Sequence, residues 1–538
     1  MIFQASFYKS KKLLLIEDCE PVRASIKGML QQIGFDDITT ASDAVQAVAL
    51  SKKHSFDFVL ADFDLGAGQD ALQFFTEASQ LTPLKSGCCF VLMSAEPRRL
   101  PVLGLLKGAP DAFILKPFSY VELEKRLAKV WNQRLKLRKV YQALQDNDHH
   151  SAQLELDQVI NARSSASLPA LRLMGEVLLS EGNFVAAQKL YEQVLQQRDF
   201  SWSRLGFAVT LLLQQEFTEA QSLLLEMTEA DDIRPEAQQW LACLYLQQGQ
   251  YTEARQQLAE LLKNQPTHID AHLASVTALE LSGNAAEAIK YWQKLIQQYR
   301  FSGFDRAEFY FGLTRLFLQQ ALQAAATEVP GLLKKASDAL ASLPNKLQNE
   351  KTELAVTVLR ARLSLLQGNY ADARQQLELL QQQELSAEPA VVLDCASLAF
   401  ALGETKLSEQ YLAQLKASQR PCTDLYSGGQ NLLAANLPEL EQKLRAKIRQ
   451  WNQAGMDLMQ QGDAAAALTS LRQAFMYMPC NAGLILNLLQ ALTELPPDKK
   501  LATLAKAALN ALEFSSKTPA NQQRLANLLP KLPELYLK

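Results

Sequence analysis

Asp62 ends the stretch Phe56-Asp57-Phe58-Val59-Leu60-Ala61, whose apolar residues read as a strand buried on both faces. A carboxylate at the carboxyl tip of such a strand stands where open α/β sheets bind ligands and do chemistry. Further polar groups follow other short apolar runs: Glu17 and Asp18 after residues 13–16, Ser94 after 88–93, and Lys116 after 112–115. On neighbouring parallel strands, all of these groups project from one edge of one sheet. Three carboxylates packed together raise one another's pKa unless a cation sits among them, and a hard divalent ion, Mg²⁺, suits an all-oxygen set. A lysine and a hydroxyl opposite them complete a site that could hold a phosphoryl group, with Asp62 as the nucleophile and an aspartyl phosphate as the covalent product.

These groups need a scaffold, and the intervening sequence has the pattern of one. Pro21 opens a helical pattern through Ile33, and Gly34 stops it. Residues 38–41 read as a strand, Ser42 as an N-cap and 44–51 as a helix. After the Asp62 strand come a glycine-bearing loop at 65–69 and a helix through Leu72, Phe74 and Phe75. A helix over 97–107 precedes the fifth strand, and a last helix starts after Ser119. Five strands alternating with five helices imply a parallel sheet covered on both faces. Vicinal Cys88 and Cys89 point to opposite faces of their strand and read as core filler rather than a redox pair. Cys19, beside the acidic pair, is expected to pack.

Residues 11–130 resemble the receiver domain of bacterial two-component response regulators, a flavodoxin-like (βα)5 fold. Glu17-Asp18, Asp62, Ser94-Ala95 and Lys116-Pro117-Phe118 carry the resemblance. It implies that Asp62 is the phosphoacceptor, served by Lys116 and Ser94, and that Ser94, Ala95 and Lys116 bind the phosphate. It also implies Mg²⁺ held by Glu17, Asp18, Asp62 and, through its backbone carbonyl, Asp64. Phe113 falls on the aromatic switch position, the Lys116–Pro117 bond is expected to be cis, and a histidine kinase is the implied phosphodonor. Gly66 and Ala71 depart from the family's usual proline and glycine, which leaves the loop's conformation open but touches none of the site residues. Two competing readings are a flavodoxin-like domain with incidental polar tips and a receiver that cannot be phosphorylated; the joint presence of Asp62 and Lys116 disfavours both.

Beyond the receiver, a helix is expected to run from Val121 through Trp131, Leu135, Leu137 and Tyr141 to Leu144. Its basic residues, Lys125, Arg126, Lys129, Arg134, Lys136, Arg138 and Lys139, are spread around the axis, so it reads as a solvated linking helix. Residues 146–148 end it, and His149 and His150 read as loop. A motif then recurs at Glu181-Gly182-Asn183-Phe184, Gln214-Gln215-Glu216-Phe217, Gln248-Gly249-Gln250-Tyr251 and Ser282-Gly283-Asn284-Ala285. From Gly182 to Gln215, Gly249 and Gly283 the steps are 33, 34 and 34 residues. The motif returns at Gly368 and Gly462, and more weakly at Gly403. Five positions after these turns stand Ala187, Ala220, Ala254, Ala288, Ala373 and Ala467, small enough for two helices to approach closely, with Ser408 in the weaker unit. Pro266 and Pro479 end second helices, and Trp451 and Gly455 mark a first one. This period and register resemble tetratricopeptide repeats, helical hairpins that stack into an all-α superhelical solenoid.

The expected organisation is an N-terminal tail (1–10), the receiver (11–130), a helical linker (131–150) and tetratricopeptide repeats (151–300). An irregular helical insert (301–345) and further repeats (346–420) follow. The last segment (421–538) holds a C-terminal repeat after a break at Ser427-Gly428-Gly429, then capping helices from Ala502. A chain of 538 residues with 48% hydrophobic and 21% charged residues is long enough for several cores, and a net charge of −3 gives no electrostatic case for nucleic acid. Seven scattered cysteines suggest a reducing cytoplasm, and no apolar run is long enough for membrane insertion. The absence of a basic helix-turn-helix, a cyclase motif and a P-loop disfavours DNA binding and a separate catalytic domain.

The reading is a response regulator of a phosphorelay whose repeat array is a protein-binding output, with the partner unidentified and a homodimer through the receiver left open. Three alternatives remain. One is a phosphorylation-independent scaffold in which the receiver is a docking module, and another is an RNA-binding repeat protein. The third is an enzyme built on the i,i+4 pair His268 and His272.

Overall fold

The computed structural model describes residues 5–63, 65, 71, 74, 87–95, 110–230, 233–302, 304–325, 327–382, 388–417, 425–515 and 517–537. The expected helix over 97–107 and most of the one through Leu72 and Phe75 lie outside the described residues, as do Asp64 and Gly66. The chain divides into two compact units, residues 1–278 with 421–429 and residues 279–420 with 430–538.

The first unit begins with a parallel sheet of order β2-β1-β3-β4-β5. Its strands are β1 (Lys12–Ile16), β2 (Asp37–Ala41), β3 (Phe58–Asp62), β4 (Cys89–Ser94) and β5 (Ala112–Leu115). Leu13 to Ile16 are fully buried because both faces of β1 are covered. Leu13, Leu15, Phe58, Leu60 and Cys89 face one core with Ile26, Leu30, Leu123 and Leu127 from two helices, Glu20–Ile33 and Tyr120–Lys136. Leu14, Ile16, Val59, Ala61 and Cys88 face the other, with Ala44, Ala47 and Val48 of helix Ala44–Lys53. The vicinal cysteines therefore do sit on opposite faces.

Helix Glu20–Ile33 carries Pro21 in its first turn and ends on Gly34, whose φ of 117° lets its N–H reach the Leu30 and Gln31 carbonyls. The N-cap of helix Ala44–Lys53 is Asp43 rather than Ser42. The Asp43 carboxylate accepts from the Gln46 N–H, while the Ser42 N–H donates to the Gln46 side-chain oxygen. The segment expected as a tail instead contains helix Ala5–Lys9. Tyr8 is fully buried in the first core, and the Phe7 ring meets Trp131 edge-on at 5.4 Å.

Helix Tyr120–Lys136 starts in a capping box between Ser119 and Glu122. It does not run on unbroken: buried Leu137, at φ −95° and ψ 5°, interrupts it before helix Arg138–Gln145. Asn147 then takes a left-handed φ of 55°, and Asp148 caps the Ser151 N–H. His149 and His150 thus open helix His149–Asn161 instead of lying in a loop, because the Asp148 cap starts the helix directly at His149.

Helical hairpins follow with their turns in the left-handed region, Gly182 at φ 76°, Gln215 at 67° and Gly249 at 71°. Ala187, Ala220 and Ala254 are fully buried where the paired helices touch. Gly175 and Gly206 lie against the Tyr191 ring so closely that a Cβ at either would overlap it.

The second unit repeats the scheme. Gly283, Gly368, Gly403 and Gly462 have φ between 77° and 84°, and Ala288, Ala373, Ser408 and Ala467 are fully buried. Residues 301–345 are not irregular. They form helices Ala307–Gln323 and Val329–Ala341, joined through extended Ala324 with Pro330 in the next first turn, so no glycine turn signals the pair. Ser427-Gly428-Gly429 does not interrupt the helix, because it lies inside helix Leu425–Gln460, although the boundary between the two units falls directly after Gly429. The helix cost of two glycines, about 1 kcal/mol each, is opposed by burial of Leu425, Leu432 and Ala434. Helices Lys499–Glu513 and Pro519–Leu528 finish the unit, with Tyr536 of a short last helix fully buried. No described helix is long and apolar enough to cross a membrane.

Candidate functional site

Sheet register assembles the site. Ile16 pairs with Ala61, Asp62 with Met93 and Ser94 with Leu115, so Glu17, Asp62, Ser94 and Lys116 emerge side by side at one edge. Ligand oxygens of Glu17, Asp18 and Asp62 all lie within 4.8 Å of one another. Lys116 Nζ stands 2.6 Å from Glu17 Oε2 and 2.9 Å from Asp62 Oδ2. The Glu17 side chain is only 2% exposed and that of Asp62 15%.

Burial raises the pKa of Glu17 and of Asp62, and their contacts with Lys116 only partly oppose it. For Lys116, burial acts to lower the pKa, but the hydrogen bonds it donates to Glu17 and Asp62, together with their charges, outweigh it and the net shift is upward. The ammonium is therefore firmly charged, while the carboxylates outnumber it by two. That donor set of hard oxygens, short of two positive charges, fits a divalent cation such as Mg²⁺. Asp64 lies outside the described residues.

Ser94 is buried at the tip of β4, where its carbonyl accepts from the Lys116 N–H at 2.8 Å, and exposed Ala95 follows it at the rim. Phe113, half-buried in β5, packs against the Leu14, Ile16 and Leu92 core. The Lys116–Pro117 peptide is cis. Cys19 does not pack as expected: it is exposed, at the N-cap of helix Glu20–Ile33.

Sequence reasoning missed Arg23. Its Nη1 donates to the carbonyls of Glu17 at 2.5 Å and Asp18 at 3.3 Å, fixing the loop that carries the acidic pair. No sequence pattern marks it, because its partners are backbone carbonyls. Sequence reasoning also left Arg134 as a solvated charge, whereas it pairs with Asp111 at 2.9 Å and is largely buried. His268 and His272 are not paired ligands. His268 Nδ1 accepts from the Ala271 N–H, and His272 Nε2 lies 2.8 Å from the Pro266 carbonyl; burial pushes the His268 pKa down to about 4.

Five parallel strands with an acidic cluster and a lysine at one edge, followed by stacked helical hairpins, define a receiver-type α/β domain joined to a helical repeat array. Residues 13–128 match the family model of the response regulator receiver domain, and residues 178–244, 236–268 and 270–302 match tetratricopeptide repeat models. Chemotaxis protein CheY-3 of Vibrio cholerae is 27% identical over 130 residues, which are 24% of this chain and 97% of that protein. Among solved structures, a CheY-like receiver domain from Methylobacillus flagellatus is 20% identical, covering 22% of this chain and 98% of its own, with a TM-score of 0.20. A tetratricopeptide repeat protein from Parabacteroides merdae is 16% identical, covering 52% and 98%, with a TM-score of 0.35. The chain thus carries an N-terminal response-regulator receiver domain followed by tetratricopeptide repeats.

Proposed function

We propose that Asp62 accepts a phosphoryl group from a histidine kinase and that the repeat array passes the signal on by binding a protein partner. The observation that carries this reading is Lys116 Nζ held between Glu17 and Asp62 at one sheet edge. In the transfer, the P–N bond of a phosphohistidine breaks, a P–O bond forms to an Asp62 carboxylate oxygen, and the leaving imidazole takes up a proton. Glu17, Asp18 and Asp62 would hold Mg²⁺, with the Asp64 backbone carbonyl as a further ligand, and the ion would neutralise one phosphoryl oxygen. Lys116 neutralises a second oxygen and Ser94 donates a hydrogen bond to a third. This reading puts the chain in the cytoplasm with its kinase, and gives it no separate catalytic domain.

Intact mass after incubation with Mg²⁺ and acetyl phosphate tests the proposal. A labile gain of one phosphoryl is expected in the native chain and not in Asp62→Ala. Absence of the gain with both acetyl phosphate and a phosphorylated histidine kinase would leave the receiver as a docking module for a phosphorylation-independent scaffold.

A further inference from the structure

A buried polar path joins the receiver to the first helical hairpins. Asp111, at the foot of β5, accepts the Phe90 N–H of β4 at 2.8 Å and returns its own N–H to the Phe90 carbonyl at 2.8 Å. Its other carboxylate oxygen takes Arg134 Nη1 at 2.9 Å, with the two side chains only 13% and 16% exposed. The Arg134 guanidinium carbon lies 3.5 Å from the centroid of the Tyr141 ring, on helix Arg138–Gln145. Tyr141 lies in the field of the Arg172–Glu176 ion pair of helix Ser167–Ser180. Burial pushes its phenol up to about 12, Asp111 and Glu176 adding to the rise and Arg134 and Arg172 opposing it. Alongside, Gln133 Nε2 donates to the Ser165 carbonyl at 3.2 Å and Lys136 Nζ to Ser165 Oγ at 3.4 Å.

The site edge of the receiver and this path share one short strand. Asp111 immediately precedes β5 and Lys116 immediately follows it, and all four residues between them are paired to β4. A strand so short and so fully paired moves as a single piece, so a pull on Lys116 at its tip reaches Asp111 at its foot. A buried carboxylate does not part from its only described ion-pair partner without a large electrostatic penalty. A guanidinium stacked on a ring also holds one orientation where an ammonium would hold many.

We propose that occupancy of the Asp62 site is transmitted within the chain along Lys116, β5, Asp111, Arg134 and Tyr141 to the first helical hairpins, with Arg134 as the positioning residue that couples them. The inference rests on the phosphoacceptor reading above. It makes the output intramolecular: the end of helix Tyr120–Lys136 is met by the chain's own linking helix and hairpin.

Hydrogen–deuterium exchange on the full chain with Mg²⁺, with and without acetyl phosphate, tests it in the native protein, Arg134→Lys and Tyr141→Leu. Arg134→Lys keeps a cation for Asp111 and gives up the planar stack; Tyr141→Leu keeps an apolar side chain and gives up the ring. In the native chain, labelling of Asp62 should change exchange across residues 138–180 by about fivefold or more, the lower end of ordinary coupling between sites. Both variants should still take the phosphoryl, with that response cut to less than half. A labelled native chain without the response, or variants that respond undiminished, would overturn the path. Should Asp62 take no phosphoryl at all, the phosphoacceptor reading falls by itself. The path is then judged with Mg²⁺ alone against the Mg²⁺-free protein: a response in 138–180 that the variants lose supports it, and no response rejects it.

Discussion

Glu17 and Asp62 meet across Lys116 with little water around either, and the energetic tension of the site lies in that arrangement. Burial lifts both carboxyl pKa values, so each holds a proton to higher pH in the folded chain than in the unfolded one. A group of this kind costs stability as pH rises from its unfolded value through its raised folded value. A bound divalent cation removes that cost and competes with the proton. Mg²⁺ should therefore bind more tightly, and raise the melting temperature more, at pH 8 than at pH 5. Calorimetric titration and thermal unfolding at the two pH values measure both effects, and equal Mg²⁺ effects at both would contradict this account. At this scale the sequence was informative because polar residues interrupt apolar runs at strand tips. Arg23 escaped notice because it acts on backbone carbonyls, which no side-chain pattern advertises.

Among the elements, the three successive helices Ser167–Ser180, Phe184–Gln197 and Ser201–Leu213 depend on a close fit around one ring. Tyr191 fills the space left by the missing side chains of Gly175 and Gly206, yet its hydroxyl is buried without a hydrogen-bond partner among the described residues. Gly206→Ala should destabilise the chain by about 1–3 kcal/mol through overpacking. Tyr191→Phe should leave stability unchanged or raise it by about 1 kcal/mol, since it removes an unsatisfied polar atom and keeps the ring. Denaturant titration of both variants checks the pair, and a large loss in Tyr191→Phe would mean that the hydroxyl has a role in the fold. The regular hairpins were legible because their left-handed turns call for glycine and their helix contacts call for alanine. The pair Ala307–Gln323 and Val329–Ala341 was hidden because its connection uses an extended residue and a proline instead. Helix Leu425–Gln460 was misjudged for a related reason: local propensity marked its glycines as a break, and burial overrode them.

The molecule as a whole combines a sheet whose plan can be read from five apolar runs with an array whose plan can be read from a period. What joins receiver to array was far less visible. Arg134 resembles its six basic neighbours in the sequence, and only the fold brings it between Asp111 and Tyr141. The adjoining Glu176 carries a further consequence for the first unit. Burial pushes its pKa up to about 7 despite Arg172 at 3.2 Å. Its contribution is thus most favourable below the ordinary carboxyl value and declines as pH rises toward 7. Unfolding measured between pH 5 and pH 8 should show this decline, and Glu176→Gln should flatten it; an unchanged slope would exclude Glu176 as its source.

Gln215 bends the backbone into a left-handed turn, φ 67°, that glycine serves at the other turns of the repeat series described here. For a residue with a side chain that conformation costs about 1 kcal/mol. In a stacked array each hairpin answers mainly to its immediate neighbours, so such a cost stays where it arises. The hairpin around Gln215 therefore carries a local backbone cost that its glycine-turned neighbours do not, and Gln215→Gly is the substitution that would relieve it without touching the rest of the stack.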